Sequence, residues 1–157
     1  MTFNLQRAEE GFFTSAPARY SDTFAIARPA GEIWRALVSD RPLAWCRTLS
    51  IRWTSERPFG VGTTRQAKLL GGVVQLQEHF FIWEEGRRYA FYATAANVPL
   101  FRRVAEDYVV EPDGPDRCRF TWTVVLEPTA LGRAGGPLNG VIFKRLFAET
   151  RSHFSAS

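Results

Sequence analysis

Residues 137–154 read PLNGVIFKRLFAETRSHF, and their pattern decides the fold. Leu138, Val141, Ile142, Leu146, Phe147 and Phe154 recur at spacings that allow one apolar face of an α-helix, while Lys144, Arg145, Glu149, Arg151 and Ser152 populate the rest. Pro137 suits the start of that helix, where its missing N–H costs no hydrogen bond. Working back from it, almost everything between Ile51 and Glu127 has the period of β-strands. One long helix therefore packs on one long antiparallel sheet. Two such layers either fill the space between them or enclose a cavity, and which of these holds decides the function.

The turns divide the sheet into strands. Tyr20–Ile26 alternates, with Tyr20, Phe24 and Ile26 on one side and Ser21 and Thr23 on the other. Pro29 breaks that strand and opens a short helix whose buried stripe is Ile33, Trp34, Leu37 and Val38, with Glu32 in its first turn beside the unpaired N–H groups. Residues 41–49, RPLAWCRTL, fit a second short helical turn opened by Pro42. From Ile51 the period becomes two. Strands are expected near Ile51–Trp53, then over Thr63–Leu70, Val73–Glu84, Arg87–Ala95, Phe101–Glu111 and Arg117–Glu127. Gly71-Gly72 signals a two-residue hairpin, and Glu85-Gly86, Asn97-Val98-Pro99 and Pro112-Asp113-Gly114-Pro115 mark further turns. These links are too short for crossover helices, so seven strands run mainly antiparallel and the class is α+β. Twist would curl them into a half-barrel whose concave side the last helix covers. Residues 1–18 read as an N-terminal extension, which leaves 19–157 as the domain.

A chain of 157 residues fits one domain that needs neither metal nor disulfide to fold. The formal charge of +4 comes from scattered arginines, with Lys68 and Lys144 the only lysines, so no basic stripe suggests nucleic acid. Cys46 and Cys118 lack metal-ligand spacing and fit reduced, partly buried thiols. Neither a phosphate-binding glycine loop nor a nucleophile elbow is present, and no cofactor or metal is expected. With no basic-then-apolar leader and no apolar run near 18 residues, a cytoplasmic protein without stable membrane insertion is expected.

Catalysis would need ionisable groups turned inward. Alternation puts Glu78 with Val74, Leu76, Phe80 and Ile82, and His79 with Val73, Phe81 and Trp83. Both sets are apolar, so the period does not say which looks inward; the more uniform company of Glu78 makes it the first choice. An inward carboxyl has a raised pKa unless it is paired, and can act as a general acid or base. Arg65 or Arg103 would be its partner, and such a pair would be structural. Glu106 and Tyr108 share one face of a later strand and could orient a carbonyl or hydroxyl group, or seal a rim. The catalytic candidates are thus Glu78, His79, Glu106 and Tyr108. The candidate pocket lining is Trp34, Trp53, Glu78, Phe80, Tyr92, Tyr108, Phe120, Trp122, Phe143 and Phe147, although solid core would explain each ring equally well.

The order of elements and the phrase FAIARPAGEIWRALVSD (residues 24–40) resemble the START-like superfamily, also called SRPBCC or the polyketide cyclase/dehydrase and lipid-transport superfamily. The matching residues there are Ile26, Pro29, Glu32, Ile33, Trp34, Leu37 and Asp40. Gly62, Glu78, Trp83-Glu84, Tyr108 with Glu111, and Phe120 with Trp122 before Glu127-Pro128 continue the likeness over roughly residues 20–154. The resemblance implies a helix-grip fold: a curved seven-stranded antiparallel sheet wrapped around a long C-terminal helix, with two short helices after the first strand. It also implies an apolar cavity, used by relatives for lipids, hormones, polyketides or aromatic substrates. No universal catalytic motif travels with the superfamily. Three functions stay open: binding or transport of a small hydrophobic or aromatic molecule, a cyclase or dehydratase acting on an aromatic or polyketide-like substrate, and a ligand-free interaction module, for example a homodimer formed through a strand edge. A cavity on the order of several hundred Å³ with aromatic lining would favour a carrier. Convergent carboxyls with displaced pKa values would favour an enzyme, and a filled interior the interaction module.

Overall fold

The computed structural model describes residues 1–155, so the last two residues of the expected 19–157 domain lie outside the described chain. Its strands are β1 (Phe3–Asn4), β2 (Ala18–Ile26), β3 (Leu49–Trp53), β4 (Thr64–Leu69), β5 (Val74–Glu84), β6 (Arg88–Ala96), β7 (Phe101–Pro112) and β8 (Cys118–Pro128). Its helices are α1 (Phe12–Ser15), α2 (Ala30–Leu37), α3 (Ala130–Arg133) and α4 (Gly136–Ser155). The strand order is β2-β8-β7-β6-β5-β4-β3, antiparallel throughout, with the first long strand pairing the last. The seven-stranded sheet curls around α4, as the turn spacing and the resemblance both imply. No helix among the described residues is long and apolar enough to cross a membrane.

Alternation assigns the faces. Phe120, Trp122 and Val124 of β8, Tyr108 and Val110 of β7, Tyr89 and Phe91 of β6 and Phe80 of β5 all point into one core with Leu146, Phe147 and Phe154 of α4. The pattern fails at one place on β5. Phe80 pairs with Phe91 but Ile82 pairs with Ala90, so Phe81 is an extra residue and the strand bulges. Beyond it the faces exchange. Ile82, expected to share a side with Glu78, packs on the outer cluster, and Trp83 joins the inner one.

Three other details differ from the sequence reading. The segment opened by Pro42 makes two successive turns, Cys46 N–H to Leu43 O at 2.9 Å and Leu49 N–H to Cys46 O at 3.2 Å, and Leu43, with φ of 59°, lies outside the helical region. Leu69 pairs with Val74, so the loop at Gly71-Gly72 is four residues long. Leu70, Gly71 and Gly72 all take positive φ there, which the two glycines adopt without Cβ strain. On α4, Leu138 (58% exposed) and Val141 (63%) face solvent, while the polar Thr150 is fully buried. Its hydroxyl donates to Leu146 O and accepts from Trp45 Nε1, each at 2.9 Å, so the helix interior tolerates it.

The N-terminal segment runs along the outer face. β1 pairs with the end of β6, and Gln6 N–H reaches Arg102 O of β7, so this short strand sits where β6 and β7 separate. Phe12 and Phe13 are buried against Ala90, Tyr92, Ala105 and Val125. Anchorage by a two-residue strand and two rings, instead of a full strand, leaves this segment without a clear period in the sequence.

Candidate functional site

Between α4 and the inner face of the sheet lies a cavity of about 40 Å³. Most of its wall is aliphatic or aromatic: Leu49 and Ile51 from β3, Ala67 and Leu69 from β4, Val74 and Leu76 from β5, Phe101 and Val104 from β7, Leu126 from β8, and Phe143 and Leu146 from α4. Five residues make the remainder different, namely Arg65, Glu78, Glu106, Tyr108 and Trp122.

Arg65 organises that polar end. It sits on β4 at the inward position of the alternation Arg65, Ala67, Leu69, opposite Glu78 of β5, and its Nε donates to Glu78 Oε1 at 2.6 Å. Both side chains are 1% exposed. The guanidinium lies 4.4 Å from the Phe91 ring centre, 5.1 Å from Phe80 and 5.4 Å from Trp53, with Tyr89 and Tyr108 slightly farther. These ring faces supply part of the attraction that water would otherwise give a cation. Its Nη1 is buried and has no hydrogen-bond partner among the described residues. Glu106, two residues before Tyr108 on β7 and so on the same face, receives two bonds at Oε1: Tyr108 OH at 3.0 Å and Trp122 Nε1 at 2.8 Å.

The electrostatics follow from one cation facing two acids. Burial pushes the Glu78 carboxyl up to about 7 despite the pull of Arg65, and the charge of Glu106 adds to the rise. Burial also raises Glu106, against the bonds from Trp122 and Tyr108 and the charge of Arg65. Burial opposes the charge on Arg65, yet Glu78 and the hydroxyl-bearing rings hold its pKa above the ordinary value. Tyr108 is raised well above the usual phenol range by burial and by Glu106, so it remains a donor. With two carboxyls beside a single guanidinium, burial favours the protonated form of each more than water does. Arg65 Nη1 is thus a donor awaiting an oxygen acceptor, and the acid pair can give or take a proton.

Of the residues expected at a pocket, Glu78, Tyr108, Trp122 and Phe143 border the cavity, and so does Glu106. Trp34, Trp53, Phe80, Phe120 and Phe147 belong to the surrounding core without bordering it. His79 and Tyr92 lie on the outer face, where their rings are 5.3 Å apart and the Tyr92 hydroxyl accepts from Arg7 Nε at 3.2 Å. Sequence reasoning named Arg65 only as a possible partner. The signal for more was an arginine standing on the same face as Ala67 and Leu69, which a solvated residue would avoid.

Among known proteins, the model of the family described as polyketide cyclase / dehydrase and lipid transport matches residues 17–152. Uncharacterized proteins of Mycobacterium tuberculosis and Mycobacterium bovis are 30% identical over 162 residues, spanning 98% of this chain and 95% of theirs. Similar solved structures include a START superfamily protein from Mycobacterium smegmatis, with TM-score 0.68, 15% identity, and coverage of 88% of this chain and 97% of that one. The Zhui aromatase/cyclase from Streptomyces is comparable, with TM-score 0.68, 14% identity, and coverage of 86% and 89%. At that identity the two structures share the fold alone. With the family match spanning nearly the whole sheet and α4, the chain belongs to the polyketide cyclase / dehydrase and lipid transport family.

Proposed function

We propose that the cavity binds one small, largely apolar molecule whose oxygen function meets Arg65. The observation that carries this reading is the partnerless Nη1 of a fully buried arginine that lines an otherwise apolar space. Burying an ion costs several kcal/mol even after relaxation, and that cost is offset only when its bonding capacity is used. An incoming acceptor would use the remainder.

At about 40 Å³ the cavity falls short of the volume on the order of several hundred Å³ expected of a carrier, with room for on the order of two or three waters but not for an aromatic ring. Ligand uptake therefore enlarges the cavity. The wall best suited to yield is the first half of α4, where Leu138 and Val141 are mostly exposed and Phe143 is only partly buried, while Leu146, Phe147 and Phe154 anchor the second half. The linker before it is fixed at one point: a side chain on Gly132 would run into the Leu100 carbonyl, so α3 holds its place as the helix start moves.

A second reading is favoured by the acid pair. A carboxyl that titrates near 7 beside Tyr108 and Glu106 suits general acid–base chemistry, as in cyclisation or dehydration of a polyketide-like substrate. Glu78 or Glu106 would take a proton from carbon next to a carbonyl that Arg65 polarises, and return it to a departing hydroxyl.

Native mass spectrometry of the purified protein, combined with solvent extraction, tests the binding reading. The expected result is one non-covalent adduct per chain that partitions into organic solvent and is lost in Arg65→Met. A bare chain mass, together with no saturable quenching of tryptophan fluorescence by a panel of apolar ketones, esters, alcohols and phenols, would overturn it.

A further inference from the structure

We infer that the site selects ligands whose polar end is neutral, such as a ketone, an ester or a phenol, over ligands ending in a carboxylate. This rests on the reading of the cavity as a ligand site and adds the chemical class of the ligand's head.

Charge counting at the cavity wall carries the inference. Arg65 is the only cation among the residues that line the cavity, and Glu78 already occupies its Nε at 2.6 Å. Glu106 adds a second acid on the same wall. The other elements bring no compensating charge. Leu49 and Ile51 of β3, Trp122 of β8, and Phe143 and Leu146 of α4 are uncharged. Tyr89 of β6 donates its hydroxyl to Leu37 O at 3.0 Å. The buried Cys46 thiol behind Leu146 is raised to about 12 by burial and stays neutral.

An entering carboxylate would thus be a third acid beside one guanidinium, in surroundings where an unpaired charge costs several kcal/mol. A carbonyl or phenol oxygen accepts from Nη1 with no such cost. The preference also strengthens as pH rises, because Glu78 then gives up its proton and the wall becomes more negative. Glu78, Glu106, Tyr89, Tyr108 and Arg65 are the titratable groups facing one another there, and neither tyrosine ionises in that range because burial raises both.

The test is a comparison of matched ligands on the intact chain by tryptophan fluorescence quenching and calorimetry. It uses 2-acetylnaphthalene, methyl 2-naphthoate and 2-naphthoate, and the single-ring analogues acetophenone, methyl benzoate and benzoate, at pH 6 and pH 8.5. The expected result is binding of the ketone and ester, with the carboxylate weaker by about tenfold or more, a difference of about 1.4 kcal/mol, and with the gap wider at pH 8.5. Glu106→Gln, which removes one acid from the wall, should narrow the gap. Carboxylates binding as tightly as their ketones or esters would overturn the inference and leave the cavity a ligand site. Failure of every ring compound to bind would instead overturn the underlying reading, and the inference with it.

Discussion

Each face of the sheet holds an arginine against carboxylates, and the two arrangements are built differently. On the outer face, Arg88 Nε and Nη2 donate to Asp107 Oδ1 and Oδ2 at 2.8 and 3.1 Å, and Nη1 reaches Glu10 Oε1 at 3.0 Å. All of its nitrogens are used, both Arg88 and Asp107 remain 16% exposed, and Glu10 belongs to the N-terminal segment that the cluster ties down. On the inner face, Arg65 bonds Glu78 through Nε, leaves Nη1 without a partner among the described residues, and shares the space with a second acid bonded to other groups. The outer cluster is complete and holds the protein together. The inner one is incomplete, and Arg65 and Glu106 both line a cavity. A buried ion pair is thus read by what it leaves unsatisfied as much as by its shortest distance.

The comparison breaks if the two arginines turn out to be equivalent. Arg65→Met leaves two carboxyls in the interior with no counter-charge and should cost about 3–5 kcal/mol by urea unfolding at pH 7. Adding Glu78→Leu should recover much of that loss, since an apolar pair of similar volume is often as stable as the ion pair it replaces. Arg88→Met removes bonds to charged groups that water can partly replace, so a smaller cost of about 1.5–3 kcal/mol is expected, with ligand binding unchanged. Equal losses at the two positions, or a double variant no more stable than Arg65→Met, would erase the distinction.

The acid pair also fixes how stability depends on pH. Glu78 titrates higher in the folded chain, near 7, than its ordinary 4.5. The folded state therefore binds more protons than the unfolded state between those values, so this contribution is fully present below about 4.5 and is lost as pH rises through about 7. The inner site is held most firmly in acid.

Much of this was legible in the chain. The inward set Cys118, Phe120, Trp122, Val124 and Leu126 follows from simple alternation, because β8 is regular and paired on both sides. That Glu78 shares a face with Leu76 and Phe80 was legible from alternation, but which face looks inward was not, since both faces of β5 carry large apolar residues. The exchange of Ile82 and Trp83 was not, because a bulge is set by pairing with β6 and leaves no mark in the local pattern. α4 shows a similar limit: Leu138 and Val141 have helical spacing, but only the tertiary packing decides that the first half of the helix stays partly uncovered. Tyr92 and His79 show that an aromatic strand residue says little about which layer it serves, since the N-terminal segment gives the outer face a core of its own. The centrality of Arg65 was hidden because its meaning lies in what surrounds it.

Burial raises the Glu78 carboxyl to about 7, beside Arg65 and a second raised carboxyl, Glu106. Carbon-detected NMR of the glutamate side-chain carboxyls, titrated from pH 4 to pH 9 and assigned with Glu78→Gln and Glu106→Gln, measures this directly. The expected result is a carboxyl of this pair changing state near pH 7 in the wild-type protein, with that transition shifted or lost in either variant. Both carboxyls fully ionised below pH 5 would contradict it.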